Sequence, residues 1–164
     1  MKTLHLLRHA KSSWKQPLLD DEQRPLKKRG RADARLVAQA MTASGWSAEH
    51  VFCSSAQRAR QTIAEVLAAL DVDAGGVSYH EALYTFDHRS LLGWLVSRDE
   101  EVLTIVGHNP ALHELVEWFA ATTLEKFPTA AYCRLEVDVD NWREFSRGSG
   151  HITQLVFPKQ LRPV

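Results

Sequence analysis

The chain has 164 residues, of which 45% are hydrophobic and 24% charged, the composition of an ordinary globular protein with a sizeable core. Basic and acidic side chains number 20 each, and this zero formal charge argues against a nucleic-acid-binding or membrane-surface protein. No apolar stretch approaches membrane-spanning length, and Cys53 and Cys133 are expected to be free, buried thiols. We therefore expect a cytoplasmic protein without a signal peptide, built as one domain over residues 1–164.

Strands and helices are predicted to alternate over the first three-quarters of the chain. An apolar run predicts a first strand at residues 3–8, followed by a polar loop at 15–26. Apolar side chains at three- and four-residue spacing predict helices over residues 26–44, 56–70, 89–97 and 110–122. Further strands are expected at residues 50–55, 77–79 and 102–106.

The last part of the chain has a different pattern. Strands are predicted at residues 130–139, 142–145 and 152–157, joined by turns rather than helices. A hairpin after alternating strands and helices is typical of a three-layer α/β/α sandwich. Its central sheet is expected to be mainly parallel, with an antiparallel contribution near the C-terminus.

Three predicted strands end in residues that can bind or attack an anion. The first ends in Arg8-His9, the second leads into a helix that carries Arg58, and the strand at 102–106 ends before His108. The carboxyl ends of parallel strands share one edge, where open α/β sheets bind their ligands, so these four side chains are expected to converge. No acid stands in the same motifs, and the start of the second helix adds free amide donors.

The residue types at this edge favour phosphate chemistry. Arginine presents a planar fork of donors to phosphate or carboxylate oxygens, and histidine can act as a nucleophile near neutral pH. An Arg-His pair taken alone is more often a solvated strand end, and only the combination with Arg58 and His108 indicates a built anion site.

Four motifs, in this order along the chain, resemble those of the histidine phosphatase superfamily, which has the phosphoglycerate mutase-like fold. Leu7-Arg8-His9-Ala10 is similar to the family's Arg-His-Gly signature, with alanine in place of glycine. The other three are Arg24-Pro25-Leu26-Lys27-Lys28-Arg29-Gly30, Ser54-Ser55-Ala56-Gln57-Arg58-Ala59-Arg60-Gln61-Thr62 and Val106-Gly107-His108-Asn109-Pro110. The short chain and its Lys11-Ser12-Ser13-Trp14 segment most resemble SixA-type phosphohistidine phosphatases.

This resemblance implies a metal-independent phosphatase that uses no cofactor. His9 would attack phosphorus and become phosphorylated, Arg8, Arg58 and His108 would hold the phosphoryl oxygens, and water would release phosphate. The implied partner is a phosphorylated substrate, with a histidine-phosphorylated protein as the first choice. The sequence leaves the oligomeric state open, and a monomer is compatible with it.

Four further residues are candidates for substrate binding. Ser12 and Ser13 could donate to phosphate or cap their loop, and Asn109 could orient His108 or simply form the turn that follows. Glu81 lies where many relatives with phosphoester substrates place a proton donor, although it could equally be a surface carboxylate. The imidazole of phosphohistidine is a better leaving group and needs less help from an acid.

Two other functions are compatible with the same residues. The protein could be a phosphatase of a small phosphoester, in which case activity should depend strongly on Glu81. It could also be a non-catalytic phosphate-binding module, in which case His9 would not become labelled by substrate.

Overall fold

The computed structural model describes residues 1–163, and a six-stranded sheet forms its centre. The strands are β1 Lys2–Arg8, β2 Val51–Ser54, β3 Val77–His80, β4 Val102–Gly107, β5 Tyr132–Val137 and β6 Gly150–Val156. Their order across the sheet is β3-β2-β4-β1-β5-β6. Strands β1 to β4 pair in parallel, whereas β5 pairs antiparallel with both β1 and β6. The predicted sheet is thereby confirmed.

Helices lie on both faces of the sheet. They are α1 Lys28–Ala43, α2 Gln57–Leu70, α3 His88–Leu95, α4 Ala111–Ala120 and α5 Pro158–Leu161. Short 3-10 helices occur at Asp21–Gln23, Ala74–Gly76, Glu81–Leu83 and Trp142–Glu144. No helix within residues 1–163 has the length and apolar character needed to cross a bilayer.

The alternation of side chains along β1 creates two cores. Leu4 and Leu6 belong to a hydrophobic cluster shared with α3 and α4, whereas Leu7 belongs to a cluster shared with α1 and α2. Successive residues of a strand point to opposite faces, so this division places one helical layer on each side of the sheet. The three-layer α/β/α arrangement is therefore confirmed, and both cysteines are buried and free as expected.

The predicted strand at residues 142–145 is wrong, because Trp142–Glu144 form a 3-10 helix. The Asn141 side chain accepts a hydrogen bond from the Arg143 N–H and caps this turn. Trp142 is buried, and its indole N–H donates to the carbonyl oxygen of Glu100 at 2.7 Å. The apolar character of Trp142 correctly predicts that it is buried. The structure buries it in a capped turn, however, and not in the sheet. Helix α5 was not predicted, and the other boundaries differ by a few residues.

Candidate active site

His9 directly follows β1 and is held at the carboxyl edge of the sheet by its backbone. Its N–H donates to the Gly107 carbonyl of β4, and its own carbonyl accepts from the Ala130 N–H, both at 3.0 Å. The imidazole is buried, with Nδ1 2.7 Å from the carbonyl oxygen of Ala10. Because a carbonyl can only accept, Nδ1 carries the proton and donates it. The unprotonated nitrogen of the neutral ring is therefore Nε2.

The surroundings of His9 keep its ring neutral. Burial, aided by the nearby charges of Arg58, Arg8 and Arg24, lowers its pKa to about 3, and only the hydrogen bond to Ala10 opposes the shift. At neutral pH the imidazole therefore offers a free lone pair, which is the form that can attack phosphorus.

His108 lies beside His9, with the two ring centroids 5.3 Å apart. Its Nε2 is 2.7 Å from Oγ of Ser54, the last residue of β2. The Ser54 oxygen also accepts the Ala56 N–H. In the tautomer in which the Ser54 hydroxyl donates to Nε2, the neutral ring carries its own proton on Nδ1. Burial, reinforced by His9 and Arg58, lowers the pKa of His108 to about 3.

Two arginines converge on the same place from different elements. Arg8 ends β1 and donates from Nη1 to the Phe127 carbonyl at 3.1 Å, and Arg58 lies in the first turn of α2 and is buried. The Nε atoms of both arginines and Nδ1 of His108 are buried and find no hydrogen-bond partner within residues 1–163. Arg8 and Arg58 both line the same cleft as His9, so two fixed cations lie where an oxyanion would bind.

Asp21 adds a carboxylate that the motifs did not reveal. Its Oδ2 accepts from Arg58 Nη2 at 2.9 Å and from the Tyr84 hydroxyl, and its Oδ1 accepts from Arg24 Nε at 3.1 Å. Partial burial favours the neutral acid, but the hydrogen bonds from Tyr84 and Arg58 and the charge of Arg58 outweigh it and lower the pKa of Asp21 to about 2. The motifs themselves contain no acid, and this carboxylate reaches the site from the loop between β1 and α1.

Arg24 is the third arginine at the site. Its guanidinium lies 3.5 Å from the centroid of the Trp14 ring and donates from Nη1 to Oγ of Ser12 at 2.8 Å. Arg24 is buried, whereas Trp14 is 75% exposed. The sequence offered one signal for these contacts: Asp21 precedes Arg24 by three residues, a spacing that suits an ion pair in one helical turn.

Two aromatic side chains cover His108. The rings of Tyr84 and Phe86 each lie 5.4 Å from its imidazole, centroid to centroid. Both follow the 3-10 helix Glu81–Leu83 and were not predicted as site residues.

Most of these residues border a cleft of about 680 Å³, whereas His108 is buried beneath Tyr84 and Phe86 and does not line it. Its lining comprises Arg8, His9, Lys11, Ser12, Trp14, Asp21, Arg24, Lys27, Arg58, Tyr84, Phe86, Asn109 and Thr129. A second depression, of about 580 Å³ at the start of β3, contains His50 but no arginine. Within residues 1–163, no cluster of three or more histidine, cysteine or acidic side chains is arranged to hold a metal ion.

The four weaker candidates have different positions. Ser12 lines the cleft, whereas Ser13 lies outside it and accepts the Lys15 N–H on its hydroxyl oxygen. Asn109 lines the cleft but donates to the Phe127 carbonyl and accepts the N–H of His113, contacts that fix the start of α4. Glu81 is exposed and does not line the cleft.

Comparison with known proteins finds relatives in sequence and several solved structures with the same fold. A chloroplastic protein of Arabidopsis thaliana of uncharacterized function is 30% identical over 91% of this chain and 72% of its own length. The protein histidine phosphatase SixA, solved with tungstate, superposes with a TM-score of 0.79 at 22% identity, covering 98% of this chain and 99% of SixA. A phosphoserine phosphatase of Entamoeba histolytica, solved with 3-phosphoglyceric acid, gives a TM-score of 0.65 at 13% identity over 94% and 96% of the two chains.

The family model of the histidine phosphatase superfamily (branch 1) matches residues 4–88. That range contains His9 and Arg58, and His108 reaches the same place from β4. By this match, the chain belongs to the histidine phosphatase superfamily, which supports phosphatase activity.

Proposed function

We propose that the protein hydrolyses phosphohistidine in proteins, without a metal ion, through a phosphorylated His9. The observation that carries this proposal is the bond from His9 Nδ1 to the Ala10 carbonyl, since it leaves Nε2 unprotonated beside Arg8 and Arg58. A neutral nucleophile next to fixed cations is what attack on a phosphoryl group requires.

In the first step, the lone pair of His9 Nε2 forms a bond to phosphorus while the P–N bond of the substrate breaks. The electron pair of that bond returns to the substrate imidazole. If the other ring nitrogen of the substrate carries a proton, the imidazole leaves as a neutral molecule. Such a step requires no protein acid, which fits the exposed position of Glu81, a residue without hydrogen bonds to His9 or His108 in the described part of the chain.

The phosphoryl oxygens would be held by the guanidinium groups of Arg8 and Arg58, which line the cleft together with His9, and by His108, whose ring lies beside that of His9. These donors are fixed before the substrate arrives, so they stabilise charge in the transition state without reorganising. Asp21, whose pKa is lowered to about 2, stays ionised and serves to hold Arg58 rather than to donate a proton.

In the second step, water attacks phosphorus and the bond to His9 Nε2 breaks. Inorganic phosphate leaves with the protons of that water, and His9 returns to its neutral form. The similarity to SixA, described as a protein histidine phosphatase, supports a phosphohistidine substrate. A phosphoserine phosphatase has the same fold, and a small phosphoester is therefore the second candidate.

The test is a rapid-quench experiment with a ³²P-labelled phosphohistidine peptide and a chelator present. We expect a label on His9 that survives base but not acid, followed by release of phosphate, and we expect His9→Ala to abolish both. His151→Ala, which removes an exposed histidine of β6, is the matched control and should behave like the parent. Turnover by His9→Ala at the parent rate would contradict the proposal.

A substrate panel separates the two candidates. Phosphohistidine peptides, sugar phosphates and nucleotides are compared by kcat/KM, in the parent and in Glu81→Gln. Preference for a phosphoester, together with a strong loss in Glu81→Gln, would favour the small-molecule phosphatase instead.

A further inference from the structure

The mouth of the cleft carries a concentration of unpaired positive charge. Lys11 and Lys27 line the cleft, and Lys15 and Lys28 border a shallow groove that continues from it past Lys27. All four lysines are exposed, and none forms an ion pair in the part of the chain that the structure describes. In a chain of zero formal net charge, this is a local excess. We call these lysines, together with Trp14, the cleft rim.

The acids of the neighbouring loop do little to neutralise this charge. Asp21 is bound to Arg58 and Arg24, so its charge is already paired within the site. Asp20 and Glu22 form no ion pair in the described residues and contribute two negative charges against the four lysines. The rim therefore presents a positive field to the solvent, directly outside the phosphate-binding cations.

The rim also exposes apolar surface. Trp14 is 75% exposed although its ring is held against Arg24, which is itself fixed by Ser12 and Asp21. Leu18, on the same loop, is 98% exposed, and Phe86 on the other segment of the cleft wall is 46% exposed. A large aromatic side chain that is both exposed and held in place is characteristic of a protein-binding surface.

We propose that the cleft rim docks an acidic, partly apolar surface of the phosphorylated protein while its phosphorylated side chain enters the cleft. This inference rests on the proposed function and names the kind of protein surface that the site accepts. Charge complementarity identifies the occupant. Four unpaired lysines favour binding of carboxylates, and the exposed ring of Trp14 favours apolar side chains next to those carboxylates. A small monophosphate bound in the cleft would not extend to Lys15 and Lys28, which lie outside its lining.

The experiment compares two phosphohistidine peptides of equal length. One has aspartate, glutamate and leucine around the phosphohistidine, and the other has lysine in place of the acids. We expect kcat/KM for the acidic peptide to be about 10-fold higher at low ionic strength, mainly through KM, and the difference to shrink in 0.5 M salt, where charges are screened within about 4 Å.

The variant that tests the rim is Lys15→Glu/Lys28→Glu, because neither residue lines the cleft. We expect it to remove the preference for the acidic peptide while kcat/KM for phosphoimidazole, a probe without flanking residues, stays unchanged. The matched control is Arg143→Glu/Arg147→Glu, which makes the same charge change in the connection between β5 and β6. That connection lies at the amino end of β1, since Val137 pairs with Lys2, and thus opposite His9. The control should keep the preference.

Three outcomes would overturn the docking proposal. Equal hydrolysis of both peptides would show that the rim does not select acids, while leaving hydrolysis of phosphohistidine intact. A preference that survives in Lys15→Glu/Lys28→Glu would place the selection elsewhere. If a sugar bisphosphate, compared with the monophosphate, shows the same lysine-dependent preference, the rim binds a second anionic group of a small molecule instead. Failure of the proposed function is distinct, because then no phosphohistidine probe would label His9.

Discussion

The reactivity of His9 depends on contacts made by residues on several elements. The Ala10 carbonyl sets its tautomer, burial lowers its pKa, and Arg8 and Arg58 supply positive charge next to it. Arg58 in turn is fixed by Asp21, through the carboxylate at 2.9 Å and the backbone carbonyl at 2.7 Å. The arginine is buried while the carboxylate is 42% exposed, so this ion pair joins helix α2 to the exposed loop that carries Asp21.

Replacing Arg58 should remove transition-state stabilisation. We expect Arg58→Ala to lower kcat/KM by about 100- to 1000-fold, the usual loss for one preorganised donor. Arg58→Lys should recover only part of it, because an ammonium cannot reproduce the forked donors that contact Asp21. Steady-state kinetics on a phosphohistidine peptide measure both. A parent-like Arg58→Ala enzyme would exclude this arginine from the reaction.

Asp21 should act through Arg58. We expect Asp21→Asn to lower kcat/KM by about 10-fold, because Arg58 loses the ionic partner that orients it. In an Arg58→Ala background, the same substitution should have little further effect, since the group that it positions is already gone. A double-mutant cycle measures this coupling. Fully additive losses would mean that Asp21 has a separate role.

At the scale of elements, the packing of α1 against the segment after β1 holds the site together. Gly30 of α1 faces the backbone of Lys11, and a Cβ at this position would lie 2.2 Å from the Lys11 carbonyl oxygen. That same oxygen accepts the Lys27 N–H at 3.0 Å, so helix and segment are joined just before α1 begins. This contact explains why glycine ends the Arg-Pro-Leu motif. Only a hydrogen atom fits between the backbone of α1 and that of Lys11.

Two helical glycines provide a matched test of this packing. Gly30→Ala should destabilise the fold by about 1–3 kcal/mol, the range for overpacking, and should also reduce activity because Lys11 follows the nucleophile closely. Gly93→Ala in α3 meets nothing within 4 Å and should instead stabilise by about 0.5–1 kcal/mol through helix propensity. Urea denaturation measures both. Equal effects of the two substitutions would contradict the close approach of α1 and Lys11.

For the whole molecule, buried neutral histidines link stability to pH. His5 of β1 hydrogen-bonds the Tyr132 hydroxyl, and burial, aided by the charge of Arg134, lowers its pKa to about 4. The pKa values of His9 and His108 are about 3. The fold therefore contains three imidazoles that become protonated at a higher pH in the unfolded chain than in the folded one.

The stabilisation from these histidines should be complete above about pH 6.5, the ordinary pKa, and should fade as the pH falls towards 3–4. In that window the unfolded chain binds more protons, so each imidazole lowers the free energy of unfolding by up to about 1.4 kcal/mol per pH unit. Urea midpoints at pH 7, 6 and 5 measure the slope. It should be smaller in His9→Ala and unchanged in the exposed-site control His151→Ala. The same stability at pH 7 and pH 5 would contradict buried neutral rings.

The sequence by itself determined the layers of the fold and the residues at the ends of three strands. Apolar periodicity distinguishes helices from strands locally, and parallel connections bring strand ends to one edge, so Arg8, His9, Arg58 and His108 could be predicted to meet. The capped turn at Trp142 was misread as a strand, because an apolar residue indicates burial but not the backbone that buries it.

Only the tertiary structure decided how the site is completed. Asp21, Tyr84 and Trp14 belong to segments without periodicity, and their partners are chosen across the fold: Asp21 meets Arg58 across 37 positions and Tyr84 across 63. No local pattern encodes such contacts, because loop side chains are placed by the elements that surround them. The charge at the cleft rim has the same origin, since a chain with no net charge concentrates four lysines there only when it folds.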